Sequence, residues 1–189
     1  MAIKIYLDQG HNPQGVNAGA EANGLREQDI NYAVGIETAR LLEQNGNFEV
    51  RLSRPTPETV LGTTNAESLS ARVRDANAWG ADFFISIHAN ASSSPTASGS
   101  EGYAYSRESP GWRMGEDILE EMTEITGLTN RGMFVRPTLY VLRRTAMPSV
   151  LIELGYLTNP SDAQLMSSSP ELFAQGIYLG ILDYYGLDE

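Results

Sequence analysis

Cysteine is absent from this chain, so neither a disulfide nor a thiolate zinc site is open to it. Any transition metal would have to be held by histidine, carboxylate and water. Histidine is scarce too: His11 and His88 are the only two in 189 residues. No apolar run reaches the ~20 residues of a membrane-spanning helix, so no membrane insertion is expected. Positive charge is also in short supply, with 13 Lys and Arg against 24 Asp and Glu and a net charge of −11. That balance repels phosphate backbones and argues against nucleic acid as a partner. The N-terminus enters a strand without the basic, apolar and small-residue pattern of an export leader. Delivery by another route, or a leader already removed, is the expectation.

What is present is an alternation of strand-like and helix-like segments. Ala2 to Asp8 and Phe83 to His88 are apolar, β-branched or aromatic runs that break at polar residues, the pattern of buried parallel strands. Phe48 to Ser53 alternates apolar and polar residues as a strand does, and Glu101–Tyr105, Leu139–Leu142 and Ser149–Glu153 are expected as shorter strands. Helices are expected over Glu27–Gln44, with Gly46 beyond its end, and over Leu69–Trp79, closed by Gly80. Ser109-Pro110 opens a helix to about Thr126, closed by Gly127, while Asn159-Pro160 and Ser169-Pro170 open the last two. Ala91 to Gly99 is a Ser/Pro/Thr/Gly loop, expected to be mobile. There is no internal repeat and no linker. The expected fold is a single α/β domain over 1–189, three-layered, with a mainly parallel twisted sheet and helices on both faces.

Both histidines fall where a predicted strand runs out: Asp8-Gln9-Gly10-His11 and Ser86-Ile87-His88-Ala89-Asn90. Ligands of open α/β sheets bind beyond the carboxyl ends of the strands. Two imidazoles on that face could share one metal; each could equally be a histidine hydrogen-bonded at a strand end. Glu27, in the first turn of a helix, is favoured there by the macrodipole alone. Glu153 is less bland. It closes the apolar run Ser149-Val150-Leu151-Ile152, where an unpaired carboxylate is costly or has its pKa raised. It is either a general acid–base group or the partner of an arginine such as Arg72 or Arg143. A zinc ion on two imidazoles and a carboxylate, with a second carboxylate to move protons, is equipped to hydrolyse an amide.

Taken in order, these segments resemble the zinc-dependent N-acetylmuramoyl-L-alanine amidases, the type-3 catalytic domain of bacterial autolysins and phage endolysins. The resemblance rests on Leu7-Asp8-Gln9-Gly10-His11, Gly24-Leu25-Arg26-Glu27-Gln28-Asp29-Ile30-Asn31, Ser68-Leu69-Ser70-Ala71-Arg72, Phe84-Ile85-Ser86-Ile87-His88-Ala89-Asn90, Leu139-Tyr140-Val141-Leu142 and Pro148-Ser149-Val150-Leu151-Ile152-Glu153-Leu154-Gly155-Tyr156. It implies Zn2+ on His11, Glu27 and His88, and Glu153 as the catalytic glutamate. It implies peptidoglycan as substrate, cut between N-acetylmuramic acid and L-alanine, with the enzyme acting at the cell wall. A monomer is expected. Asn90 and Ala91, just past a ligand, are expected to line the cleft for muramyl peptides. Pro13 stands where the family often has glycine and stiffens the loop after His11. The stretch from Ala91 to Arg131 leaves little room for a plugging helix, so an open site is expected. Two alternatives stay in view. One is a zinc peptidase acting within the stem peptide, with Arg131, Arg136 or Arg143 clamping a carboxylate. The other is a wall-binding module without catalysis.

Overall fold

The most apolar segment of the chain becomes the middle of a sheet. In the computed structural model, which describes residues 2–188, the elements in chain order are β1 (Ile3–Gln9), a small hairpin of β2 (Glu21–Ala22) and β3 (Leu25–Arg26), α1 (Glu27–Asn45), β4 (Phe48–Leu52), α2 (Asn65–Trp79), β5 (Phe83–Asn90), β6 (Ser100–Ala104), α3 (Pro110–Thr126), β7 (Asn130–Val135), α4 (Tyr140–Arg144), β8 (Ser149–Tyr156), α5 (Pro160–Ser168) and α6 (Pro170–Tyr185). Six strands form one sheet in the order β4-β1-β5-β8-β6-β7. Every neighbouring pair is parallel except β6 against β8. The sheet is therefore mixed but mainly parallel, flanked by helices as expected.

Side-chain alternation along the strands sorts residues to the two faces. Phe83, Ile85, Ile87, Val150, Ile152 and Leu154 join the larger core with residues of α1, α3 and α6. Tyr6, Phe84 and Leu151 point the other way, into a smaller core with Val73 and Ala76 of α2 and Val141 and Leu142 of α4. His88 and Glu153 alternate with Ile87 and Ile152, so they share that second face.

Three expectations need correcting. Leu139–Leu142 is not a strand; α4 begins at Tyr140. A four-residue apolar run does not distinguish the two periods. Here Val141 and Leu142 bury against α2 while Arg143 and Arg144 face solvent, and the Thr145 hydroxyl donates to the Val141 carbonyl at 2.9 Å. Glu153 does not end its strand either. β8 continues to Tyr156 because β5 still pairs with it there, Asn90 opposite Tyr156, while β6 runs along its far side with Glu101 opposite Glu153. The Ala91–Gly99 loop is tied down: Ser92 N donates to Thr158 Oγ1, Asn159 Nδ2 to the Pro95 carbonyl, and Ser98 Oγ to Asp162 Oδ1. The hairpin and β7 were not anticipated, although Asn23-Gly24, both at positive φ, is a strong two-residue turn signal.

α6 lies on α3 at close range because it offers glycines there. A Cβ at Gly180 would sit 2.4 Å from Ile118 Cα, and one at Gly176 would sit 2.3 Å from Met122 Cα. The obstacle in both cases is backbone, which cannot swing aside. Gly180→Ala is expected to lower stability by ~2–3 kcal/mol through overpacking, against less than ~0.5 kcal/mol for Glu171→Ala on the same helix. Urea denaturation of the two variants checks this, and equal midpoints would mean that the helices can part at little cost.

Candidate active site

β1 and β5 deliver the two imidazoles, and the hairpin delivers a carboxylate between them. β1 ends at Gln9, and Gly10 then passes against the face of the His88 ring; a Cβ there would lie 2.4 Å from ring atoms. Glycine is required by that approach. His11 follows in the left-handed region at φ 69, a conformation that needs support from its surroundings. Its Nδ1 faces the Asn17 carbonyl at 3.2 Å, which orients Nε2 inward. The β2–β3 hairpin turns the chain straight into α1, so Glu27 is the first residue of that helix.

Glu27 Oε1 lies 3.1 Å from His11 Nε2 and 2.9 Å from His88 Nδ1. The two rings meet edge to face at 4.9 Å between centroids. One donor atom from each of the three residues falls within 4.8 Å of the others. Backbone N–H groups of Ala20 and Ala89 donate to the same carboxylate at 3.0 and 3.2 Å, and Asn31 Nδ2 reaches it at 3.5 Å. Burial alone would raise the Glu27 pKa. The hydrogen bonds and charge of the two imidazoles outweigh it and hold the group far below the ordinary carboxylate range. An ionised carboxylate between two imidazoles is a donor set that could hold a metal ion.

Glu153 stands beside this cluster. It is directly opposite His88 across β5–β8 and opposite Glu101 across β6–β8. Neither Arg72 nor Arg143 pairs with it. Its Oε2 is shut off from solvent and has no hydrogen-bond partner among the described residues. Burial, then the negative charges of Glu27 and Glu101, push its pKa well above the usual value. Glu101 is treated in the opposite way. Arg131 Nε (2.7 Å), Asn90 Nδ2 (2.8 Å) and the hydroxyls of Tyr103 (2.5 Å) and Tyr156 (3.3 Å) all donate to it and keep it ionised despite its burial. The expected cleft residue Asn90 is thus engaged by Glu101 and by the N–H of Ala91, which is itself exposed.

Arg72 anchors the strand ends from α2. It is 1% exposed and pairs with Asp8 at 2.6 Å. The same guanidinium donates to the carbonyls of Gln9 (2.7 Å) and His11 (2.6 Å). Asp8 also accepts from Ser86 Oγ at 2.8 Å, two residues before His88. A cavity of about 120 Å³ opens beside the two imidazoles, walled by Leu69, Leu139, Tyr140 and Leu151. Larger clefts of about 470 and 640 Å³ run along α3, but no histidine lines them.

His11, Glu27, His88 and Glu153 are therefore brought together as the motifs implied. Asn17, Asn31 and Glu101 were not anticipated. Asn31 had a signal, since it lies one helical turn from Glu27. Glu101 had the same signal as Glu153, an acid inside a short strand.

Comparison with known proteins agrees with this geometry. The family described as N-acetylmuramoyl-L-alanine amidase matches residues 5–183. The chain is 37% identical over 180 residues to N-acetylmuramoyl-L-alanine amidase CwlM of Bacillus licheniformis, covering 94% of this chain and 65% of that protein. It is 34% identical over 185 residues to N-acetylmuramoyl-L-alanine amidase LytC of Bacillus subtilis, covering 96% of this chain and 35% of that one. The solved catalytic domain of CwlV, an amidase of Bacillus (Paenibacillus) polymyxa, superimposes with a TM-score of 0.86 at 31% identity, over 98% of this chain and 99% of that one. The chain thus spans about two thirds of one curated relative and about a third of the other.

Removing Arg72 should break the anchor. Arg72→Met is expected to cost ~3–5 kcal/mol at neutral pH, because Asp8 is left charged and buried without its partner. The Asp8 pKa is lowered in the folded protein: burial would raise it, but Arg72 outweighs burial. Its contribution is therefore complete above the unfolded value of ~3.9 and is lost as pH falls through the folded value. Urea denaturation across pH should show the gap between wild type and variant narrowing on acidification; a gap independent of pH would assign the loss to packing alone.

Proposed function

The chain belongs to the N-acetylmuramoyl-L-alanine amidase family, and on that premise we propose that it hydrolyses the amide between N-acetylmuramic acid and L-alanine in peptidoglycan, with zinc held by His11, Glu27 and His88. The observation that carries this reading is the convergence of those three donors next to an unpartnered buried glutamate. With no cysteine in the chain, the donors are two imidazoles and a carboxylate, a set that suits zinc in a catalytic rather than a structural site. A zinc ion there supplies Lewis-acid polarisation of a carbonyl and acidifies water.

The chain's own groups do the rest. Asn17 orients the His11 imidazole through its Nδ1. Glu153 takes a proton from the attacking water and passes it to the departing amine of L-alanine. Burial and the charges of Glu27 and Glu101 raise its pKa, the direction that makes a carboxylate a better proton acceptor. The small cavity walled by Leu69, Leu139, Tyr140 and Leu151 gives one side of the imidazoles a largely apolar surround.

The stretch 1–189 is read as one catalytic unit. We read the enzyme as a monomer. Among the described residues no helix is long and apolar enough to cross a membrane, and the substrate puts the place of action at the cell wall. We read the site as open and active without a partner that unplugs it; between β5 and α3 the chain forms β6. Asn90 and Ala91 border the cleft, and we read them as contacts to the muramyl peptide.

Digestion of purified peptidoglycan followed by mass spectrometry tests the reaction. The expected products are stem peptides with a free L-alanine amino group, lost on chelation and restored by zinc. Peptides cut internally would replace this reading with a peptidase. Glu153→Gln should keep its bound zinc but lose turnover by ~10²–10⁴-fold, the usual worth of general acid–base catalysis. Retained turnover would remove Glu153 from its role.

A further inference from the structure

The face of the sheet that carries His88 and Glu153 continues onto β6 and β7. Glu101 stands opposite Glu153, which makes Tyr103 its diagonal neighbour, ~7–8 Å away on adjacent antiparallel strands. Arg136, just past β7, lies over the Tyr103 ring, 5.2 Å from ring centroid to guanidinium carbon. Its backbone is anchored, since its N–H donates to the Ala104 carbonyl at 2.9 Å and its carbonyl accepts from Leu139 N at 3.2 Å. Pro137 follows and narrows the conformations open to it.

The side chain is not so satisfied. Arg136 is exposed, and among the described residues no carboxylate lies within 4 Å of its guanidinium. Its one side-chain hydrogen bond goes to the neighbouring Val135 carbonyl at 3.4 Å. Arg131, at the other end of β7, is already used by Glu101. In a chain with net charge −11, a free guanidinium stacked on an aromatic ring at the rim of the cleft has its donor edge available to an incoming anion.

The inference rests on the amidase reading. In a stem peptide the residue after L-alanine is D-isoglutamate, linked through its γ-carboxyl, so its α-carboxylate stays free on the carbon next to the L-alanyl peptide bond. Consecutive α-carbons are 3.8 Å apart, which puts that carboxylate ~5–7 Å from the scissile amide. That is of the same order as the ~7–8 Å strand offset from Glu153 to Tyr103, the ring that carries Arg136. We infer that Arg136, held on Tyr103, binds the α-carboxylate of the second stem-peptide residue and makes the enzyme discriminate against stem peptides in which that group is amidated to D-isoglutamine.

Two synthetic muramyl tripeptides that differ only in this group, carboxylate or amide, provide the test. With the zinc-loaded wild type, kcat/KM is expected to be ~10–100-fold higher on the carboxylate, mostly through KM, as one charge-assisted bidentate contact is worth. Arg136→Met should bring the two substrates within about twofold of each other. Arg136→Lys should keep part of the preference. The same pair titrated calorimetrically into Glu153→Gln and into Glu153→Gln/Arg136→Met reads binding without turnover. Equal rates on both substrates in the wild type, or a preference that survives Arg136→Met, would overturn the inference while leaving the amidase reading intact. No peptide released from either substrate would overturn the amidase reading and this inference with it.

Discussion

One buried ion pair holds the centre of this protein together. Arg72 of α2 and Asp8 of β1 meet at 2.6 Å in a setting where neither reaches solvent. An isolated pair of that kind returns little net stability, because desolvating both charges costs about as much as their attraction gains. Its value lies in what else it fixes. The guanidinium also takes the carbonyls of Gln9 and His11, and the carboxylate also takes the Ser86 hydroxyl. The ends of β1 and β5 are thereby locked relative to one another, and His11 is held in a left-handed conformation that it would not otherwise favour.

The charge arrangement downstream follows from the sheet register. Parallel pairing of β5 with β8 sets His88 beside Glu153, and antiparallel pairing of β8 with β6 sets Glu153 beside Glu101. Three carboxylates, Glu27, Glu153 and Glu101, thus crowd one cleft. Their environments differ sharply. Glu27 is surrounded by two imidazoles and two backbone N–H groups, and Glu101 by an arginine, an asparagine and two tyrosine hydroxyls. Glu153 receives neither a cation nor a donor at its buried oxygen. The two satisfied acids stay ionised and the third is pushed toward its protonated form. Such divergence among neighbouring carboxylates is how one of them becomes a proton carrier.

Sequence reasoning fared unevenly, and for identifiable reasons. Strands such as Phe83–Asn90 carry long apolar runs, and helices such as Pro110–Thr126 carry a capping serine, a first-turn proline and a terminal glycine. Those signals are local and were legible. Leu139–Leu142 misled because a short apolar run fits either period, and packing against α2 chose the helix. β7 was missed because its residues are mostly exposed, so no hydrophobic pattern marks them. The early end expected for β8 had a different cause: a glutamate inside a strand looks like its terminus until the partner strand is known.

The residue types at the site were fixed in the chain itself: two histidines only, no cysteine, and two acids in segments where acids are conspicuous. Those facts, with their motifs, sufficed for the fold class and the family, and they pointed to four residues that the fold brings close together. The tertiary structure decided the surroundings of each acid. Glu27 and Glu153 both have bland explanations in one dimension. Only the pairing of strands distant in sequence brings Glu27 between two imidazoles, gives Arg72 to Asp8 rather than to Glu153, and leaves Glu153 without a partner. Charge state depends on neighbours within a few ångströms, and those neighbours are chosen by the register of the sheet.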